Sequence, residues 1–173
     1  MFIGREEELN FLEDRYNSAD GQLIVLYGRR RVGKTELLRQ FCQDKEHIFY
    51  TCTEIIDEKQ LEAFSQRLLE KNHQAAKYIT HFSDWEQALL SISELTKDKK
   101  IVVVIDEFPY MVKGNNAIPS ILQKLWDEVL KQSNVMLILC GSAMSFIEKE
   151  VLAEKNPLYG RATGILKMQA MDF

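Results

Sequence analysis

A glycine-containing loop between an apolar run and a helical pattern constrains this chain more than any other feature of its sequence. Residues 28–35 read GRRRVGKT, and they follow the apolar run Gln22–Tyr27 and precede the helical pattern of residues 36–41. A GxxxxGK[ST] pattern at a strand-to-helix turn points backbone N–H groups and the positive end of a helix at an anion. The alternative is an ordinary glycine turn between a strand and a helix. We therefore predict a phosphate-binding loop.

The positions of this loop have different expected roles. Gly28 and Gly33 allow the backbone to approach phosphate where a Cβ would obstruct it. Lys34 can reach the β- and γ-phosphates, and the Thr35 hydroxyl can ligate Mg²⁺. The loop arginines either add positive charge for the phosphates or form solvated or partner-binding surface. The residues expected to contact the nucleotide here are Gly28, Arg29, Arg31, Val32, Gly33, Lys34, Thr35 and Glu36.

Length and composition limit the class of protein. With 173 residues, of which 46% are hydrophobic, the chain suits one domain over residues 1–173. A net charge of −4 and a pI near 5.5 provide no broad attraction for nucleic acid or an anionic membrane. The three cysteines show no CxxC spacing and suit a reducing compartment. No apolar run reaches the ~20 residues that span a bilayer, so we expect a cytoplasmic protein without membrane contact.

Short apolar runs alternate with stretches of helical spacing, which is typical of an α/β fold with a parallel sheet covered on both faces. The helical stretches have apolar stripes that we interpret as core rather than as ligand contacts. We expect the second of them to begin with a capping box, Ser83-x-x-Glu86. The predicted strands are residues 22–27, 47–53, 100–105, 135–140 and 164–168, and the predicted helical stripes are residues 61–69, 85–95 and 118–129.

A second candidate site element is the apolar run of residues 101–105, which ends in Asp106 and Glu107. Asp106 can complete a Mg²⁺ shell, and Glu107 can polarise a water for attack on the γ-phosphate. The alternative is a solvated strand end. A catalytic base beside the metal ligand favours hydrolysis over transfer to a small metabolite, because a kinase must exclude water. A small-molecule kinase is therefore the least favoured alternative.

Two further polar residues are candidates for catalysis. Ser142 follows the apolar run of residues 135–140 and can either sense the γ-phosphate or cap a following helix. Arg161 precedes the last apolar run and can stabilise transition-state charge in its own site or in a neighbour's. The alternative for Arg161 is an ordinary surface ion pair.

Together these motifs resemble the archaeal-type ATPase family, a branch of the AAA+ related P-loop NTPases that is often grouped with the STAND ATPases. The resemblance is carried by five segments in order, residues 2–9 (FIGREEEL), 26–35, 104–110, 140–142 and 157–161. It implies a three-layer P-loop NTPase fold of the ASCE/AAA+ type with a five-stranded parallel sheet of order 5-1-4-3-2. That order places Ser142 beside the phosphate loop.

The resemblance also implies that Gly4 and Arg5 flank the nucleotide base, although by themselves residues 4–8 could simply begin a helix with an acidic first turn. It makes Arg161 a candidate arginine finger that acts between subunits of a homo-oligomer. Relatives continue beyond residues 171–173 into a lid and a further domain. We therefore expect this chain to be the core of a longer protein, whose protein or nucleic-acid partner binds the additional part.

The predicted function is binding and hydrolysis of ATP with Mg²⁺, which drives or times a conformational switch. A first alternative is a signalling module that exchanges ATP and ADP with little turnover. A second is a DNA-associated motor subunit, and the acidic pI weighs against direct DNA contact by this part of the protein.

Overall fold

The computed structural model describes residues 4–71, 73–143, 146–151, 153–154, 156–158 and 160–170, without the side chains of residues 150 and 151. The chain alternates between strands and helices as the apolar pattern predicts. The strands are β1 (Gln22–Tyr27), β2 (His47–Thr51), β3 (Ile101–Asp106), β4 (Val135–Gly141) and β5 (Gly164–Lys167). The helices are α1 (Glu6–Tyr16), α2 (Lys34–Cys42), α3 (Asp57–Leu69), α4 (Trp85–Leu90), α5 (Ile92–Leu95), α6 (Phe108–Gly114) and α7 (Ile118–Glu128).

The strands form one parallel sheet of five strands in the order β2-β3-β4-β1-β5. This order, read from the opposite edge, is 5-1-4-3-2, so the fold prediction is confirmed. In parallel strands all carboxyl ends lie at one edge of the sheet. The residues that follow β1, β3 and β4 therefore meet at that edge.

Successive side chains of each strand point to opposite faces, which produces a core on either side of the sheet. Leu23 and Val25 of β1 belong to the core beneath α3, α4, α6 and α7. Ile24 and Leu26 belong to the core beneath α1 and α2. The result is the predicted arrangement of three layers.

The predicted capping residue of the helical region at residues 85–95 is wrong by one position. Asp84, not Ser83, caps α4, because its extended backbone allows the carboxylate to accept a hydrogen bond of 2.8 Å from the Gln87 amide. Ser83 instead contacts the Gln87 side chain at 3.0 Å. The region also divides into α4 and α5 at Ser91, whose hydroxyl donates to the Ala88 carbonyl at 2.6 Å.

Several strand ends differ from the predicted ones by one or two residues. The strand β2 ends at Thr51, and the Gln60 side-chain amide donates to the Thr53 carbonyl at 2.8 Å. The strand β3 includes Asp106 as its last residue. Of the segments that carry the resemblance, residues 2–3 and residue 159 lie outside the described residues, as do residues 171–173. Among the helices that the structure describes, none is long and apolar enough to cross a bilayer.

Candidate active site

The loop of residues 28–33 joins β1 to α2 at the carboxyl edge of the sheet. Arg31 and Gly33 adopt left-handed conformations, with φ of 67° and 93°. Such residues turn neighbouring amides inward, so that they form a concave anion-binding surface. A Cβ built on Gly33 would meet nothing within 4 Å, so its positive φ rather than crowding favours glycine at this position.

The Lys34 side chain lies inside the loop. It is 6% exposed, and its ammonium donates a hydrogen bond of 2.7 Å to the Arg29 carbonyl. This contact satisfies a buried cation and keeps it within the loop. The charge is therefore already positioned where a phosphate would be bound by the surrounding amides.

Asp106 is the buried acid at the end of β3, with 3% of its surface exposed. Its carboxylate accepts hydrogen bonds from the Thr35 hydroxyl at 3.1 Å and from the Glu107 amide at 3.0 Å. The buried Cys140 thiol of β4 lies near this carboxylate. Burial, followed by the charge of Asp106, raises the pKa of this thiol well above its usual value. Asp106 is thus held by the Thr35 hydroxyl of α2 and by the amide of the residue that follows β3.

Glu107 follows β3 in a left-handed conformation with φ of 55°, which is uncommon for a residue with a Cβ and which concentrates at functional sites. This turn brings its carboxylate to Ser142 at the end of the neighbouring β4. The Ser142 hydroxyl donates to the two carboxylate oxygens at 3.3 and 3.4 Å. The structure therefore joins two residues that are 35 positions apart in sequence.

A cavity of about 520 Å³ at this edge brings half of the predicted site residues together. Tyr110 also lines it, although the motifs did not single out this residue. Its position three residues after Glu107, one turn into α6, was the available signal, because residues three apart share a helix face. The lining residues are Arg30, Arg31, Gly33, Lys34, Thr35, Glu36, Glu107, Tyr110 and Ser142.

Gly28 has a packing role in addition to the predicted one. Its N–H donates to the Gly141 carbonyl at 3.3 Å, so this amide does not face a phosphate. A Cβ on Gly28 would lie 2.4 Å from the Met168 carbonyl oxygen. Glycine is required at this position because the chain after β5 packs against the end of β1, and the contact of Gly28 with phosphate stays a prediction.

Arg29 and Val32 line a neighbouring cavity of about 290 Å³, together with residues 167–170. Arg5 lies beside these residues. It is 7% exposed, and its guanidinium donates to the carbonyls of Val32 at 2.7 Å and Gln169 at 2.9 Å. Arg5 thus links the phosphate loop to the chain after β5. Gly4 is exposed and has a positive φ of 85°.

Arg161 lies near the amino ends of the strands, whereas the phosphate loop lies at their carboxyl ends. Two residues later, Thr163 hydrogen-bonds to Leu23 near the beginning of β1, with its amide 2.7 Å from the Leu23 carbonyl. The length of β1 separates its amino end from its carboxyl end by roughly 20 Å. The guanidinium pairs with Asp127 at 2.9 Å. Arg161 is therefore not brought to the cavity of its own chain, which corrects one of its two predicted catalytic roles.

Comparison with known proteins agrees with this geometry. Residues 2–173 match a family described as an ATPase domain predominantly from Archaea. The chain belongs to this archaeal ATPase family. The family resemblance inferred from the motifs is thereby confirmed, and the chain is a P-loop ATPase domain.

Relatives of this archaeal ATPase domain occur among curated proteins. The domain is 38% identical over all 173 residues to an uncharacterized protein of Methanocaldococcus jannaschii, and spans 37% of that protein's length. A stretch of 46 residues is 54% identical to an uncharacterized ATP-binding protein of the same organism; it represents 27% of this chain and 78% of that protein. The full length of the archaeal ATPase domain aligns with the first of these relatives, but it covers only 37% of that relative's length.

Two solved structures share the fold of the archaeal ATPase domain. The Walker-type ATPase of Pyrococcus abyssi superposes with a TM-score of 0.71 at 23% identity, over 99% of this chain and 55% of that chain. The Orc1 protein of Aeropyrum pernix, solved in complex with DNA, has a TM-score of 0.71 at 14% identity, over 99% and 47%. At these identities the likeness is one of fold.

The chemistry of the acidic residues at this site fits a magnesium ion. Mg²⁺ prefers hard oxygen ligands and binds through one or two protein groups together with substrate phosphates. The Thr35 hydroxyl and the Asp106 carboxylate converge within 3.1 Å of each other beside Lys34. Asp106 is nearly fully buried and has no ion-pair partner among the described residues. These two residues are therefore the ones that would hold the ion.

Proposed function

We propose that this domain hydrolyses ATP in a magnesium-dependent reaction, and that hydrolysis drives or times a conformational change in a longer protein. The observation that supports the proposal is the arrangement at the carboxyl edge of the sheet. There, Lys34, Thr35, Glu107 and Ser142 line one cavity beside the phosphate loop. Asp106 is buried behind Thr35 and accepts a hydrogen bond from its hydroxyl.

Binding of the triphosphate uses the loop and Lys34. The inward amides and the N-terminus of α2 bind phosphate oxygens. The Lys34 ammonium exchanges its hydrogen bond with the Arg29 carbonyl for bonds to the β- and γ-phosphates. The exchange keeps the ammonium paired, so phosphate binding leaves no buried cation without a partner.

Thr35 and Asp106 hold magnesium in this proposal. When bound, the ion neutralises charge on the β- and γ-phosphate oxygens. The chain's own contribution is to keep the two ligands oriented. The Glu107 amide fixes one Asp106 oxygen at 3.0 Å, and the Thr35 hydroxyl donates to the other at 3.1 Å.

Glu107 acts as the base in the chemical step. Its carboxylate accepts a proton from a water molecule as the water oxygen attacks the γ-phosphorus. A bond forms between that oxygen and phosphorus, and the bond from phosphorus to the β–γ bridging oxygen breaks. The products are ADP and inorganic phosphate. Ser142 orients the Glu107 carboxylate through the hydroxyl hydrogen bonds.

Glu107→Gln tests this assignment. The variant keeps the size of the side chain and removes the base, so a fluorescent ATP analogue should bind with unchanged affinity. Phosphate release should fall by a factor on the order of 10² to 10⁴. Glu128→Gln, at the exposed end of α7, is the matched control and should retain full turnover. Undiminished phosphate release by Glu107→Gln would contradict the proposal.

The conformational switch is a separate part of the proposal, and a separate measurement tests it. A domain that times a switch keeps ADP bound after bond cleavage, so ADP release should limit its steady-state turnover. The ADP dissociation rate is therefore compared with steady-state turnover in the longer protein. Turnover limited by bond cleavage, with rapid ADP exchange, would contradict a timing role.

A further inference from the structure

The strand β2 forms one edge of the sheet, and half of its backbone groups point away from the protein. The Val102 amide donates to the Glu46 carbonyl at 3.0 Å, and the Cys52 amide donates to the Asp106 carbonyl at 2.8 Å. In a parallel ladder with this register, the even-numbered residues of β2 bond to β3. The N–H and C=O groups of His47, Phe49 and Thr51 therefore face outward. Within the described part of the chain, nothing pairs with them.

These outward groups open onto a groove of about 440 Å³ with cationic walls. From α2, the Arg39 guanidinium lies over the Phe49 ring, 4.5 Å from its centroid. From α3, Arg67 lines the opposite wall, followed by Lys71. The groove thus has a cationic wall on each side of an unpaired strand edge.

Two of these cations lack a carboxylate partner. Among the described residues, no carboxylate lies within ion-pair distance of Arg39 or Arg67. The Lys71 ammonium lies 3.8 Å from the Glu46 carboxylate, and Glu70 is the acidic residue among those that line the groove. The chain as a whole has a net charge of −4, so this surface departs from the overall charge. It is therefore complementary to an anionic group.

We propose that the β2 edge binds an extended acidic segment of a partner protein as an added strand. The backbone of such a segment would pair with the outward groups of β2, which is how sheet edges recognise extended peptides. Its side chains would alternate between the two walls. Acidic residues at successive positions would therefore reach Arg39 on one side and Arg67 with Lys71 on the other.

The groove suits a peptide better than a nucleic acid. Base stacking needs an open aromatic face, and the Arg39 guanidinium covers one face of the Phe49 ring. The edge is five residues long, roughly 17 Å, which matches a short peptide strand. The cationic side chains also select for an acidic partner strand, because charged side chains along a sheet edge disfavour pairing with neutral or basic strands.

The test uses fluorescence anisotropy with a defined probe. The probe is a fluorescein-labelled peptide of about seven residues with the sequence Thr-Glu-Glu-Val-Glu-Glu-Thr, long enough to pair along the edge. A second probe has Gln in place of each Glu, and a third has N-methyl groups at alternate amides, which block strand pairing while the charge is kept. A labelled oligothymidylate represents nucleic acid. The titrations are made at low and high salt.

Charge-reversal variants test the walls of the groove. Arg67→Glu should weaken binding of the acidic probe by about tenfold or more, which corresponds to 1.4 kcal/mol. Lys77→Glu makes the same change in net charge at an exposed position away from the groove and should leave the affinity within about twofold. Equal weakening by both variants would mean that net charge alone accounts for the effect, and it would overturn the proposal.

Backbone pairing is tested at Thr51. Thr51→Pro removes one outward N–H at the exposed end of β2, a position where an edge strand tolerates proline. It should weaken binding by about tenfold, whereas Thr51→Ala, which keeps the N–H, should bind like the parent chain. If Thr51→Pro fails to fold by circular dichroism, the N-methylated probe decides the same point with the unaltered protein.

The outcomes separate the alternatives. Tight binding of the acidic probe, with weaker binding of the Gln and N-methylated probes, supports strand addition. Absence of binding to the acidic probe overturns the proposal. Equal binding of the N-methylated probe shows that the groove recognises charge without pairing, and preferential binding of oligothymidylate identifies a nucleic-acid surface. Either result overturns it. Unchanged ATP hydrolysis in Arg67→Glu keeps this result independent of the proposed function.

Discussion

The Ser142 hydroxyl donates to both carboxylate oxygens of Glu107, at 3.3 and 3.4 Å, and so connects the ends of two adjacent strands. Glu107 is held in a left-handed conformation at the end of β3. The hydroxyl of the residue that follows β4 therefore orients this carboxylate relative to the phosphate loop.

Removal of this hydroxyl should slow hydrolysis without loss of nucleotide. In Ser142→Ala the Glu107 carboxylate loses its donor and its orientation, so kcat should fall by on the order of tenfold or more while the affinity for ATP stays the same. Ser142→Thr keeps a hydroxyl and should retain more activity. Ser120→Ala, on the exposed face of α7, is the control. An unchanged kcat in Ser142→Ala would show that Glu107 does not depend on the serine.

Gly33 and Gly160 share a left-handed backbone conformation, and substitutions at the two positions should separate effects on stability from effects on nucleotide binding. Gly33 and Gly160 have φ of 93° and 80°, and a Cβ on either would meet nothing within 4 Å. Alanine at either position should therefore cost about 1 to 2 kcal/mol of unfolding free energy through backbone strain. Only Gly33→Ala should also weaken ATP binding, because it reshapes the loop. Denaturant titration and nucleotide titration of both variants measure this, and equal loss of ATP affinity in the two would contradict it.

Arg161 is expected to act on a neighbouring subunit if it acts in catalysis. It lies at the opposite edge of the sheet from its own phosphate loop and pairs with Asp127. Arg161→Ala should therefore bind ATP normally and have low turnover in an assembled longer protein. A mixture of Arg161→Ala and Glu107→Gln chains should regain activity, because some interfaces then combine an intact arginine with an intact base. Full activity of Arg161→Ala alone would contradict a catalytic role for this arginine.

The buried thiols predict a loss of stability at alkaline pH. Burial raises the pKa of Cys42 to about 12, and it also raises the pKa values of Cys52 and Cys140. In the unfolded chain a thiol ionises near pH 8.5. As the pH rises through that value, the unfolded chain loses protons that the folded chain keeps. The free energy of unfolding therefore declines from roughly pH 8.5 upward.

For Cys42 this decline amounts to about 2 kcal/mol near pH 10. Urea denaturation of the parent chain and of Cys42→Ala over pH 7 to about 10 isolates the contribution, because the other titrating groups are common to both proteins. The variant should be less stable at neutral pH and should lose less stability as the pH rises. Parallel profiles for the two proteins would show that the Cys42 thiol titrates in the folded state.

The sequence alone was sufficient for the fold class and for locating the candidate phosphate loop and the acidic end of β3. Apolar strands and helical stripes have different periods, and five apolar runs followed by polar or glycine residues predict a parallel sheet. The loop of residues 28–35 and the acidic end of β3 are local patterns, because their roles depend on neighbours along the chain. Both could therefore be identified from the order of residues.

Only the tertiary structure decided how distant residues meet. The contact between Glu107 and Ser142, the packing of Met168 against Gly28, and the position of Arg161 at the far edge depend on strand order and register. The open edge of β2 likewise exists because no other strand pairs there in the described chain. Local spacing contains no information about such contacts, since they arise when the sheet places residues from separate segments side by side.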